Sequence, residues 1–478
     1  MNGSAFLDRL FAGTVVRGDA VRYVLPVPVD ARRSLAAGWL VLALVSLAAS
    51  GVLSVLLVLS RTPGVKDIFP LVDFFYVALV AHVDLSVLLW FLAFAGVLWS
   101  INSTPRAIAL GWSALALALL GSALIAAAPF VGAGRPVMAN YIPVLDEPVF
   151  LSGLGLFSTG MALAFARGLL AVPKVGARLD GAGALRFGLN TSLVSVGVAL
   201  LAFGWSFWEV PRSLEAKGYY ELVFWGGGHV LQFTWTLLMF VAWLWLAEEG
   251  GAPLPLKPRS AVLLFGIGLV SVFLTPVIYL AWEVGSVEHH RLLTWLMRFG
   301  GGLAILPFSL ALVLGLARAG KAARGQGVLR AALLASLLLF GAGGVIGLMI
   351  SGSNVKIPAH YHGSIVGVTL AFMGLTYHLL PRLGFSAASA RWAVPQLWLY
   401  AGGQLLHVLG LMWSGGYGVQ RKVAGAAQTL RSTEEVIAMG VMGLGGLIAV
   451  IGGTLFLVLA IGAVLRRPGA RREPDLAA

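Results

Sequence analysis

Apolar residues run along this chain in long blocks separated by short polar gaps. A helix needs about 20 apolar residues to cross the hydrocarbon core of a bilayer, because lipid offers no partner to an unsatisfied backbone group. Twelve blocks reach that length, near 34–59, 71–100, 106–130, 149–170, 185–208, 222–247, 260–284, 292–317, 328–351, 357–380, 391–414 and 436–465. The gaps carry turn and cap chemistry, as in Thr62-Pro63-Gly64, Ala252-Pro253 and Gly325-Gln326-Gly327, so the blocks predict separate helices in an antiparallel bundle. The expected fold is all-α and integral to a membrane: one twelve-helix domain over 34–465, an N-terminal segment at 1–33 and a short basic tail at 466–478.

Composition agrees. Of 478 residues, 59% are hydrophobic and 11% charged, against about 25% charged in soluble domains, which excludes a water-soluble fold. The absence of cysteine excludes disulfides, thiolate metal sites, c-type haem attachment and iron–sulfur clusters on this polypeptide. The formal charge of +13 sits in loops and tails, where it reads as attraction to anionic lipid and not to nucleic acid. About twice as many of the 33 Lys and Arg fall on the face holding both termini as on the other, which predicts cytoplasmic termini in a bacterial or archaeal inner membrane. Residues 1–33 mix Arg9, Arg17 and Arg22 with Asp8 and Asp19 and lack a signal-peptide core, so they are expected to stay as a cytoplasmic lead-in. The 61 glycines gather inside the blocks, where small residues let helices approach closely.

The candidate chemistry lies in the histidines. His82, His229, His360 and His362 all fall in the half of the bundle remote from the termini, and His289-His290 sit in the loop between the seventh and eighth spans. Any one of them alone reads as a packing histidine, as His378 and His407 do. Six ionisable rings at one depth, costly in lipid, instead point to metal or cofactor ligation. Residues two apart on a helix point about 200° apart, so His360 and His362 can serve two separate haems. His82 can complete a six-coordinate low-spin haem with His362, leaving His360 as the one axial ligand of a high-spin haem. His229, His289 and His290 then form a three-imidazole site suited to copper, iron or zinc.

A histidine in the second helix, the His-His pair after the seventh and His-x-His opening the tenth resemble the catalytic subunit of the haem-copper oxidase superfamily over nearly the whole chain. Trp225 and Gly228 before His229 agree, as does the basic pair Arg421-Lys422, which the resemblance assigns to haem propionates. It also implies a low-spin haem of b type, a high-spin haem, one non-haem metal (Fe or Cu), and an outer-face electron-donating subunit of cupredoxin or cytochrome type, with direct quinol oxidation as the other route.

In the oxidases so resembled, dioxygen cleavage draws one of four electrons from a tyrosine bonded to a metal-ligand histidine. Four residues after His229 stands Phe233, and six before the His-His pair stands Glu283, with Tyr279 one turn earlier. The lack of a tyrosine at either place favours nitric oxide reduction to nitrous oxide, as in denitrification, over dioxygen reduction, since joining two nitric oxide molecules takes only two electrons. Usual nitric oxide reductases carry a glutamate where Phe233 stands, so Glu283 first and Gln232 second are the expected metal-contacting or proton-relaying groups. The acids near spans, Asp73, Asp84, Glu147, Glu209, Glu221, Glu283 and Glu288, lie toward the outer side, which predicts outer proton supply and no pumping. A terminal oxygen reductase using Tyr279 is the enzymatic alternative, and a twelve-helix transporter, which predicts broken helices at mid-depth, is the non-enzymatic one.

Overall fold

The computed structural model describes residues 22–61, 72–132, 134–176, 179–421 and 430–466. Most of the lead-in, the tail and Lys422 lie outside them. Twelve spans follow in order: α1 (Ala31–Arg61), α2 (Val72–Val83, a π-helical turn at Asp84–Leu89, then Trp90–Ile101), α3 (Ile108–Val131), α4 (Pro148–Leu170), α5 (Gly181–Glu209) and α6 (Ala216–Glu249). Then come α7 (Pro258–Val270, a 3-10 turn at Ser271–Phe273, then Leu274–Ala281), α8 (Val287–Gly300 and Gly302–Arg318), α9 (Gln326–Leu348), α10 (Lys356–Arg382), α11 (Ala390–Gly416) and α12 (Thr433–Leu465). An antiparallel hairpin, β1 (Arg135–Val137) with β2 (Val144–Asp146), closes the α3–α4 connection.

Eleven of these are long and apolar enough to cross a membrane. The other, α11, matches them in length, but Gln396, Gln404 and His407 lower its apolarity. Gln396 is wholly buried, accepts from the Tyr377 hydroxyl at 2.8 Å and donates to the Gly452 carbonyl at 3.1 Å, so it ties α11 to α10 and α12. Helix starts are capped by side chains: Glu147 accepts from the Val149 amide, Asp180 from Gly183, Ser286 from His289 and Ser432 from Glu435.

Two boundaries differ from expectation. His289 and His290 are not in a loop: α8 begins at Val287, because the Ser286 hydroxyl caps it 3.2 Å from the His289 amide. Helix α6 runs on to Glu249, which puts two acids, Glu248 and Glu249, at the terminus-bearing end. The acids near spans therefore do not all lie on the opposite side. Glu249 lies 3.9 Å from the His378 ring and 3.4 Å from Arg382, so His378 stays a packing residue at that end.

Successive helices pair as α1–α2, α3–α4, α5–α6, α9–α10 and α11–α12, and α12 returns to α1. Burial sorts the bundle: 89% of the α10 span window and 83% of that of α6 are buried, against 28% for α8 and 33% for α12. The two central helices are thus those that carry His229, His360 and His362. Between them and α2 and α12, Trp90, Phe94, Phe372 and Phe456 form an aromatic core, with Phe94 and Phe372 stacked at 4.2 Å. Glycines set the spacing elsewhere. A methyl group on Gly445 would run into the His407 backbone, and one on Gly403 into Ala449, so α11 and α12 touch backbone to backbone. Gly445→Ala is expected to cost about 1–3 kcal/mol by overpacking and to lower the melting temperature in detergent. Gly443→Ala, where the added carbon meets open space, is expected to leave that temperature unchanged.

Candidate functional site

Four imidazoles are held in one way. On α2, His82 Nδ1 lies 3.0 Å from the Ser50 carbonyl and 2.9 Å from the Ser50 hydroxyl of α1. On α10, His360 Nδ1 lies 2.7 Å from the Gly343 carbonyl of α9. On α6, His229 Nδ1 lies 2.7 Å from the Trp225 carbonyl one turn back, and on α11 His407 Nδ1 lies 2.9 Å from the Met442 carbonyl of α12. A carbonyl only accepts, so each Nδ1 carries the proton; on His229 the Nε2 lone pair lies 2.8 Å from the Tyr141 hydroxyl. A metal-ligating histidine is held by this same outer hydrogen bond.

His360 and His362 face different neighbours, as their spacing requires. His360 turns to α9, and the His362 ring lies 4.8 Å from that of His407 on α11. His362 is within electrostatic reach of both His407 and His82. His407 is the helix-packing or hydrogen-bonding residue that the sequence suggests, through the Met442 carbonyl, but its place beside His362 is not visible in its spacing. Asp84, two residues past His82 in the π-helical turn, is fully buried, with no partner on either carboxylate oxygen among the described residues.

The second group gathers at the outer ends of α6, α7 and α8. The His290 ring stacks on Trp225 at 3.4 Å, and the indole donates to the His290 carbonyl at 3.2 Å. His229 packs on the same indole at 4.7 Å. His289 is 1% exposed, and neither ring nitrogen has a partner among the described residues. Leaving a buried polar group unpaired costs about 1–3 kcal/mol, a cost that a bound metal ion would remove. Among the described residues, no three His, Asp or Glu side chains are already closed to ligand spacing. The unpaired nitrogens of His289 fit a metal, whereas the Nε2 of His229 accepts from the Tyr141 hydroxyl and would have to release it to bind one.

Two phenols reach this group. The Tyr279 ring lies edge-on to His289 at 4.6 Å, and its hydroxyl shares a 2.8 Å hydrogen bond with Ser206 of α5. Tyr141, from the loop between β1 and β2, places its hydroxyl 2.8 Å from His229 Nε2. Gly228 has no side chain where the Tyr141 ring packs, and Gly226 none where the Tyr279 hydroxyl lies. Burial, together with the Glu221 carboxylate, pushes the Tyr141 hydroxyl above the ordinary phenol range, so it donates to Nε2. Sequence spacing missed Tyr141 because a loop residue has no fixed offset from a helix position. The signal was the glycine immediately before His229.

Other expected residues are placed less centrally. Glu283 is exposed in the turn between α7 and α8, and its side chain makes no hydrogen bond or ion pair among the described residues. Gln232 is half-buried, with its side-chain oxygen unpartnered among them. Arg421 donates to the Ser353 hydroxyl at 3.3 Å, and Lys422 lies outside the described residues.

Residues 34–455 match the family of cytochrome c and quinol oxidase polypeptide I. The chain is 30% identical over 495 residues to a protein of Rickettsia prowazekii, covering 89% of this chain and 95% of that one. It is 26% identical over 467 residues to cytochrome c oxidase subunit 1 of Thermus thermophilus, covering 87% of this chain and 80% of that protein. In fold it is similar to a heme-copper terminal oxidase dimer solved by cryo-EM, with TM-score 0.73 at 17% identity, over 92% of this chain and 85% of that one. The chain belongs to the haem-copper oxidase subunit I family. It is therefore a multi-pass membrane oxidoreductase of electron transport, from a family that binds haems and a non-haem metal and works with electron-donating partners. Membership leaves the transporter alternative without support, and the breaks in α7 and α8 do not revive it.

His82→Ala and His362→Ala are each expected to abolish the low-spin haem band in the visible spectrum and to halve the haem content roughly. His378→Ala, which alters a ring beside Glu249 at the other end, is expected to keep both haems.

Proposed function

We propose that this haem-copper oxidase family member reduces dioxygen to water in a chamber bounded by His229, His289, His290 and His360. The observation that carries this reading is the Tyr141 hydroxyl, 2.8 Å from His229 Nε2. The preference for nitric oxide in the sequence rests on the lack of a tyrosine four residues after His229 or six before the His-His pair; Phe233 and Glu283 stand there, and Tyr141 reaches His229 from a loop instead. Reduction of one dioxygen takes four electrons and four protons and yields two waters. A phenol beside the chamber supplies one hydrogen atom, an electron with its proton, and regains both from the donor and the medium.

In this reading His82 and His362 hold a low-spin haem of b type, His360 a high-spin haem, and His229, His289 and His290 the non-haem metal. Bound there, the haems and the metal supply one-electron storage and the place where the gas binds. With Glu283 exposed and Phe233 where a carboxylate would stand, the protein offers imidazoles alone, a donor set that suits copper better than iron. Arg421 and Lys422 take the haem propionates. The membrane domain spans 34–465 with both termini in the cytoplasm, and a cupredoxin or cytochrome subunit delivers electrons at the outer face of an inner membrane. The named oxidases among the relatives agree with oxygen as substrate.

A second reading is nitric oxide reduction, in which two nitric oxide molecules, two electrons and two protons give nitrous oxide and water. It is favoured by Phe233, which leaves no phenol on α6 one turn after His229. With an artificial donor, the purified protein is expected to consume oxygen, and Tyr141→Phe to lower that rate roughly a hundredfold while keeping both haem bands. Nitrous oxide formation that survives Tyr141→Phe, with no oxygen consumption by the parent protein, would establish the second reading instead.

A further inference from the structure

The rings assigned to the haems are held unequally. His82 Nδ1 rests on the Ser50 carbonyl, and His360 Nδ1 on the Gly343 carbonyl. His362 has no such carbonyl, and its ring makes no hydrogen bond among the described residues. Its ring contacts come from its chain neighbour Tyr361, at 5.4 Å, and from His407 on α11, at 4.8 Å with 62° between the planes. A ring that ligates through Nε2 carries its proton on Nδ1. Inside a bundle that donor is costly to leave without an acceptor.

Helix α12 is shaped to seat the ring that lies beside it. His407 Nδ1 donates to the Met442 carbonyl at 2.9 Å. A carbon added at Gly445 would run into the His407 backbone, and one at Gly446 would come within 3.3 Å of His407 Nδ1. Two successive glycines thus leave the space in which His407 stands. With its proton fixed on Nδ1, the His407 ring carries its lone pair on Nε2, which makes that nitrogen an acceptor. Two imidazoles joined by an N–H···N bond of about 3 Å have ring centres roughly 5 Å apart, close to the separation of His362 and His407.

We propose that His407 is a positioning residue of the low-spin haem, its Nε2 accepting the Nδ1–H of His362 when His362 Nε2 binds iron. The series from the Met442 carbonyl through His407 to His362 then does by relay what the Ser50 carbonyl does directly for His82. Hydrogen bonding at the outer nitrogen fixes the plane of the ligand and makes it more basic. A more basic ligand favours ferric over ferrous iron, so His407 lowers the potential of this haem. The inference rests on the assignment of His82 and His362 to the low-spin haem.

The test is a redox titration of the purified intact protein at the low-spin band, with the EPR spectrum of the oxidised form beside it. His407→Leu, which fills the space but neither donates nor accepts, is expected to keep the haem and to move its low-spin g values. It is also expected to raise the midpoint potential by about 59 mV, a tenfold change in the ferrous-to-ferric ratio. His407→Gln, whose amide can donate to Met442 and accept from His362, is expected to restore most of the parent potential and g values. Gly446→Ala, which crowds the His407 ring, is expected to shift both in the same direction by less, and Gly443→Ala, where the added carbon meets open space, not at all. A parent-like potential in His407→Leu, or equal shifts in the Leu and Gln variants, would overturn the positioning role and leave the haem assignment intact. Should His407→Leu fail to assemble, a parent-like potential in Gly446→Ala overturns the role instead. A parent protein without a low-spin haem signal would overturn the assignment itself.

Discussion

The arrangement depends on one hydrogen bond repeated: an imidazole Nδ1–H held by a backbone carbonyl inside a bundle that faces lipid. A buried ring with neither nitrogen paired, as at His289, is expensive. Holding one nitrogen on a carbonyl settles the tautomer, fixes the ring plane and puts the lone pair on Nε2, which at His229 meets the Tyr141 hydroxyl. Carbonyls normally locked in helix ladders can do this only where geometry brings them within reach. Gly343 supplies one such place. A methyl group there would meet the backbone of Ser364, so α9 and α10 lie close enough for the Gly343 carbonyl to reach His360. His82 has the same arrangement through Ser50, and the π-helical turn at Asp84–Leu89 begins two residues later. Such turns shift the helix register and are frequent where a side chain must be aimed.

Close packing and chemistry are therefore one design here. The helices most enclosed by protein, α6 and α10, carry the rings that need the most exact surroundings. The peripheral α8 lends only its first turn, and does so through a serine cap that orders His289 and His290 as helix and not as loop. Glycines serve two ends. At Gly403 and Gly445 they let backbones touch, whereas at Gly226 and Gly228 they clear room for two phenols.

The twelve helices were legible because block length is a one-dimensional property and lipid enforces it. The opposed aim of His360 and His362 was legible too, since helical periodicity alone dictates it. What spacing could not give were contacts made across the chain. Tyr141 is 88 residues from His229 and sits in a connection with no period. Glu283, by contrast, had a suitable offset from the His-His pair, but the turn that ends α7 at Ala281 carries it into an exposed position. His407 packs and hydrogen-bonds across helices as a lone histidine should, but its position alone says nothing of the ring, His362, that the next helix brings beside it. The run Gly226-Gly227-Gly228 just before His229 reads first as close packing, yet a helix without side chains beside a buried histidine must be filled by something from elsewhere.

The two ends of the bundle differ in what surrounds α6. From His229 toward the terminus-bearing side, α6 buries Leu237, Leu238, Phe240, Trp243 and Leu244; the Trp243 indole donates to Ser336, while the Gln232 oxygen and the Trp235 and Trp245 indoles have no partner among the described residues. At the other end Glu221 accepts from Asn140, and the next residue, Tyr141, places its hydroxyl 2.8 Å from His229 Nε2, so the outer end of α6 is where a loop reaches the buried imidazole.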